Sequence, residues 1–191
     1  MILREKLYTV EEFREIARLP ENEHKRLELE DGIIVEMPPS KPINTVVAGR
    51  IIYFLNAYVI PNDLGLVTVP DGGFKLNTGT SRQPDVGFVP KSTAEFVPDE
   101  FDFAPALAVE VVSPSEDVFK KVNEYLSSGT SLVWAVYCDE KKVYVFTQDE
   151  SGVVHSIPKG VNDVLTGGDV LPDFTLPVKD IFPANMQSAE G

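Results

Sequence analysis

The run Leu107-Ala-Val-Glu-Val-Val112 limits what this chain can fold into more than any other stretch. All but one of its side chains are apolar, and such a run suits a central strand covered on both faces. Alternation puts Ala108, Glu110 and Val112 on one side of that strand. A lone carboxylate in such a place is costly unless it is paired or holds a metal. Glu110 is therefore the most informative single residue of the sequence.

The neighbouring segments supply partners for it. In Pro84-Asp-Val-Gly-Phe-Val89, Asp85 opens a short strand. Val86 and Phe88 point one way, Asp85, Gly87 and Val89 the other. After Glu110, Ser113-Pro114-Ser115 leaves the strand as a turn and cap, and a helix follows from about Asp117. Val118, Val122, Tyr125 and Leu126 form its apolar stripe. Lys121 flanks the stripe, one turn before Tyr125, and can aim at the sheet edge. Lys120 points nearly opposite, to solvent. Gly129 is a natural cap. An acid, an acid and a lysine on adjacent rigid elements are what metal-assisted cleavage of a phosphodiester needs.

Other chemistries find less support. No G-x-S-x-G elbow surrounds the serines. Asp71-Gly-Gly73 lacks the Lys-Ser/Thr of a phosphate loop, and no helix signal follows. His24 lies in a charged, solvated stretch, and His155 falls on an exposed face. Trp134, in the apolar run from Ser131 to Cys138, reads as core.

The N-terminal third organises around turns. Thr9-Val-Glu-Glu12 is a capping box that starts a helix ending before Pro20. Arg26 to Met37 reads as a hairpin about Asp31-Gly32. There Leu27 and Leu29 alternate with Glu28 and Glu30, and spacing favours a solvent-facing strand for the two acids over one in which Glu28 reaches a metal site. Ile43, Val47, Ile51, Phe54 and Tyr58 fall on one face of a long helix that stops at Pro61, with Arg50 snorkelling at its edge. Gly65 to Leu76 suggests two short strands, and residues 77–81 a polar turn. Residues 143–146 and 152–157 read as strands, and Leu171 to Phe182 as a closing strand and helical turn. Residues 1–183 form one domain, and 184–191 a frayed polar tail.

Length and composition suit one α/β domain with a proper core. Acids outnumber bases by 30 to 17, a formal charge of −13, which disfavours broad non-specific DNA binding. The single Cys138 excludes an internal disulfide and fits a reducing cytoplasm. No apolar run has the length of a membrane span, and the N-terminus lacks a signal-peptide core.

Five segments together resemble the Uma2 family, also called DUF820, a bacterial group. They are Arg26–Ser40, Gln83–Val89, Ala104–Ser115, Lys121–Gly129 with Val133–Tyr137, and Leu171–Phe182. The resemblance implies an α/β (α+β) fold of the PD-(D/E)XK restriction-endonuclease type, a central mixed sheet flanked by helices. It also implies site residues: Glu28 as the acid before the Asp-Gly turn, Asp85 of the PD element, Glu110 of E-V-x-S-P-S, and Lys121 four residues before Tyr125. In the wider superfamily the lysine sits two residues after the glutamate, where Val112 stands here; the amine has moved to the next helix. The chain departs from the family at Asn44, where a histidine is usual, and in a shorter link from Ser115 to Lys121.

The expected function is a metal-dependent endonuclease. Asp85 and Glu110 would hold Mg²⁺ or Mn²⁺, Glu28 would bind or orient the metal shell, and Lys121 would act on the water or the phosphate. Nucleic acid, DNA before RNA, would be the substrate, and a homodimer the assembly. The alternative is a catalytically silent binding or regulatory protein on the same fold, motivated by the acidic charge and by Asn44. A third reading is an unrelated metal-dependent hydrolase of a small phosphoester.

Overall fold

The structure, a computed structural model, describes residues 6–113 and 116–184. Pro114 and Ser115 of the expected turn, and all of the expected tail after Ala184, lie outside the described residues. Helix α1 (Val10–Ala17) begins at the expected capping box: the Glu12 N–H donates to Thr9 Oγ1 at 3.3 Å and the Thr9 N–H to Glu12 Oε2 at 3.0 Å.

Strands β1 (Leu27–Glu30) and β2 (Ile33–Glu36) form the expected hairpin, with positive φ at both Asp31 and Gly32. These are the conformations a two-residue type I′ turn demands. Helix α2 (Pro42–Val59) follows, then β3 (Gly65–Thr68), β4 (Phe74–Asn77), β5 (Thr80–Arg82) and β6 (Val86–Pro90). Next come β7 (Leu107–Val111), α3 (Val118–Ser127), β8 (Leu132–Tyr137), β9 (Lys142–Gln148) and β10 (Val154–Lys159). The chain closes with β11 (Val164–Gly167), β12 (Leu171–Pro177) and α4 (Val178–Ile181).

The main sheet has the order β10-β9-β8-β7-β6-β3, and β7–β8 is its parallel pair. That pair is joined through α3, as a parallel connection requires. A smaller sheet, β2-β1-β5-β4, stands beside it, and β11–β12 form a separate ribbon. The observed architecture is the expected mixed sheet flanked by helices.

Strand β7 is buried along its whole length, as its composition demanded. Its two faces go to different neighbours. Leu107, Val109 and Val111 join Val47, Ile51 and Leu55 of α2. Ala108 joins Val118, Val122 and Tyr125 of α3. Glu110 shares the face of Ala108, so it is aimed at α3.

Several expectations needed correction. The buried face of α2 is Asn44, Val47, Ala48, Ile51, Leu55 and Val59, rotated from the anticipated stripe; Ile43, Phe54 and Tyr58 are only partly buried at its border. Arg50 does not merely snorkel: its Nη1 donates to the Asp180 and Phe182 carbonyls at 3.1 and 3.3 Å, satisfying groups at the end of α4. The polar turn expected over 77–81 is confined to residues 78–79, between Asn77 at the end of β4 and Thr80 at the start of β5, and β11 was not foreseen.

Candidate functional site

The site lies where the small sheet meets the main one. Three residues, Gln83 to Asp85, connect β5 of the small sheet to β6 of the main sheet. The antiparallel register Val86↔Val109, carried one residue further, sets Asp85 opposite Glu110. Both line one cavity of about 330 Å³, together with Arg26, Glu116, Lys120 and Lys121.

Glu110 is 1% exposed. Tyr125 Oη donates to its Oε1 at 2.7 Å, and Lys121 Nζ to its Oε2 at 3.3 Å. Burial pushes Glu110 up to about 8; the Lys121 charge opposes this, and those of Asp85, Glu116 and Glu28 add to it. Burial also raises the Tyr125 phenol, reinforced by Glu110.

Asp85 is 9% exposed. Its Oδ2 accepts the Val111 N–H at 2.7 Å, which ties it to the strand of Glu110, and its Oδ1 lies 3.7 Å from Arg26 Nη2. Burial lifts its pKa above the ordinary aspartate value, against the pull of that N–H and of Arg26.

Lys121 reaches the centre of the network despite the short link before α3. Besides Glu110 it contacts Glu28 at 3.6 Å and forms a close ion pair with Glu116. Burial alone would lower its pKa, but these three carboxylates raise it well above the ordinary lysine value. It is therefore a fixed ammonium rather than a base.

Glu28 overturns the solvent-facing reading that spacing favoured, for it is completely buried. Its Oε2 accepts from Arg82 Nη1 at 2.9 Å and its Oε1 from the Gln83 N–H at 3.1 Å. It stands behind the cavity wall, holding Lys121 and Arg82. Lys120 likewise does not turn to open solvent: it pairs with Glu30 and Asp31 at 3.1 and 3.2 Å on the rim.

Sequence reasoning passed over Arg82. Its guanidinium is fully buried and grips Glu28, Glu30 and Glu124, joining β1 to α3. Burial would lower its pKa, but hydrogen bonds to Glu124 and Glu30 and the Glu28 charge raise it further. The position offered one signal, an arginine three residues before an aspartate expected in the site. Glu116 was also missed; its Oε2 accepts the Ser113 N–H at 3.2 Å, beside the cavity.

Asn44, at the position where the resemblance leads one to expect histidine, is buried. Its Nδ2 donates to the Val111 carbonyl at 3.2 Å and lies 3.4 Å from Ser113 Oγ. Among the described residues, no group of three or more His, Cys, Asp or Glu side chains could hold a metal ion. Two carboxylates, Asp85 and Glu110, remain as candidate oxygen donors.

The mixed central sheet flanked by helices is a nuclease-like fold. The Uma2 family model, described as "Putative restriction endonuclease", matches residues 10–179, and the chain belongs to that family. The fold is similar to that of a "putative nuclease belonging to DUF820" from Anabaena variabilis ATCC 29413. That structure aligns with a TM-score of 0.75 at 22% identity, over 91% of this chain and 97% of the other. No curated protein sequence matches the chain. No described helix is long and apolar enough to cross a membrane.

Proposed function

We propose that this chain is a divalent-metal-dependent phosphodiesterase of the nuclease type, acting on nucleic acid, DNA before RNA. The observation that carries the reading is the meeting of Asp85, Glu110 and Lys121 in one cavity of about 330 Å³. Membership of the Uma2 family supports it.

The residues fit a hard divalent cation by charge and by donor type. Six acids but only four bases line the cavity, and Glu28 adds a further buried carboxylate behind it. Burial is the main cause of the raised pKa values of Asp85 and Glu110, and the neighbouring carboxylates add to it. One or two carboxylates are the usual protein share of a Mg²⁺ shell, the rest being water and phosphate. Asp85 and Glu110 would hold the ion, which when bound supplies Lewis-acid polarisation of the phosphate and a more acidic water.

This chain's own residues do the positioning. Tyr125 and Lys121 fix the two oxygens of Glu110. The Val111 N–H fixes Asp85. Glu28 and Glu116 hold the Lys121 ammonium at the cavity wall, where it would stabilise charge that grows on a phosphate in the transition state. Because the amine is already fixed, little reorganisation accompanies the reaction.

Purified protein is expected to cut DNA or RNA with Mg²⁺ or Mn²⁺, and Asp85→Ala or Glu110→Ala to abolish cutting. Cleavage unchanged in both variants would sink the assignment. Metal binding at neutral pH is expected to release a proton as Glu110 ionises, measurable by calorimetry in buffers of different ionisation enthalpy.

One observation favours the second reading, a silent binding protein on the same fold. Both oxygens of Glu110 already have partners in Tyr125 and Lys121, so the lysine can serve in place of a metal cation. Calorimetry separates the two: no heat from Mg²⁺ or Mn²⁺, together with no cleavage, selects the silent protein.

A further inference from the structure

Helix α2 has an outer face unlike the rest of the surface. Its eighteen residues contain one charge, Arg50, and that side chain is turned aside to the carbonyls at the end of α4. The face left to solvent carries Val46, Gly49, Tyr53, Ala57 and Ile60. Val46, Tyr53 and Ile60 are 46%, 67% and 69% exposed. A quarter of this chain is charged, yet this stripe has no charge at all. An apolar outer face of this kind, opposite a buried inner face, is one that a partner can cover.

The order of residues on the stripe says what covers it. Counted from Tyr53, they stand at −7, −4, 0, +4 and +7, and they read large, small, large, small, large. The pattern is the same in both directions. Two copies of α2 packed antiparallel about a twofold axis at Tyr53 therefore match. Val46 of one meets Ile60 of the other, and Gly49 meets Ala57. The two Tyr53 rings then lie in the space those small residues leave. Gly49 has nothing within 4 Å of the place a Cβ would occupy, so the surface there is open to a close neighbour. A contact of this kind is isologous and closes on itself.

Charge favours the same pairing. Lys41 precedes the helix and Asp63 follows it. Antiparallel packing brings Lys41 of each copy towards Asp63 of the other, an acid that also pairs with Lys91 of its own chain, and opposes the two helix dipoles. Parallel packing would bring like charges together. Two chains of charge −13 repel over most of their surface, and this stripe is where they can approach without that cost.

We propose that the outer face of α2 is a self-association surface, and that its occupant is α2 of a second copy in antiparallel register about Tyr53. A helix face about 27 Å long and roughly 10 Å wide offers on the order of 300 Å² per copy. A standard stable interface uses about 800 Å² per partner. The pair is therefore reversible and depends on concentration. The inference stands on the surface alone and does not depend on the nuclease reading.

Sedimentation velocity over a concentration series tests it. The mass is expected to rise from one copy to two, and Tyr53→Glu, at an exposed position that does not enter the core, to remain a single copy throughout with an unchanged melting temperature. The register is tested by oxidation in a Cys138→Ala background. A mixture of Val46→Cys and Ile60→Cys chains is expected to cross-link, and Val46→Cys alone is not. A single copy at every concentration, whatever else then binds the face, overturns the proposal. So does a dimer that Tyr53→Glu leaves intact, or cross-linking of Val46→Cys chains to one another.

Discussion

Replacing Arg82 by methionine is the sharpest test of how the site is held. The guanidinium is the direct partner of three carboxylates on two elements: Glu28 and Glu30 on β1 and Glu124 on α3. Removing one member of a buried ion pair costs about 3–5 kcal/mol, because the abandoned charge stays buried. Most of the loss should come from Glu28, which has no exposure, while Glu30 is a quarter exposed and can hydrate. Glu28 keeps Lys121 at 3.6 Å and the Gln83 N–H at 3.1 Å. The expected loss therefore lies at the low end, about 3 kcal/mol. For a chain of this size that is a fall in melting temperature of roughly 6–12 °C. Arg82→Lys keeps the charge but cannot span three acids, and should recover only part of the loss. Arg82→Met combined with Glu28→Gln should lose less than the sum of the two single changes. Urea unfolding at neutral pH reads all of these. An Arg82→Met protein within about 1 kcal/mol of the parent, or strict additivity in the double variant, would refute the account.

Three further outcomes are expected. Glu110 titrates at about 8 in the folded protein against an ordinary 4.5, so between those values the native state keeps a proton that the unfolded chain has released. That contribution to stability is complete below the ordinary value and is lost as pH rises through about 8. Glu110→Gln, neutral throughout, should show a shallower loss of stability over the same range in chemical denaturation. Gly87→Ala would set a Cβ 2.7 Å from Thr68 Oγ1 and 3.0 Å from the Phe74 ring. Overpacking of this kind should lower stability by about 1–3 kcal/mol, and a melt within error of the parent would show that the strands can part to admit it. Thr9→Ala should cost about 1 kcal/mol by opening the capping box of α1, again seen by thermal unfolding.

The legible parts of the fold were those written in apolar periodicity. Strand β7, its burial on both faces and the direction of Glu110 all follow from six residues. The choice of Lys121 over Lys120 follows from the apolar stripe of α3. The turn at Asp31-Gly32 and the cap at Thr9 are local and were legible for that reason. Glu28 was not: alternation of leucine and glutamate looks the same whether the second face meets water or a buried arginine, so spacing favoured solvent and the resemblance favoured a role in the site. Arg82 was invisible because Thr80, Ser81 and Arg82 carry no apolar signal, yet all three are buried. The burial of Arg82 is licensed by charges that arrive from β1 and α3, more than forty positions away in either direction. No local window contains that information.

Strand β5 has a consequence for the order in which the molecule assembles. Collapse of a chain is driven by apolar surface, and β5 offers none to it. The main sheet can condense around β7 and α2 without β5. The docking of β5 rests on Arg82 meeting Glu28 and Glu30 of β1 and Glu124 of α3. Contacts absent from the folding transition state change the unfolding rate more than the folding rate. Arg82→Met is accordingly expected to quicken unfolding more than it slows folding, which stopped-flow kinetics in urea would read.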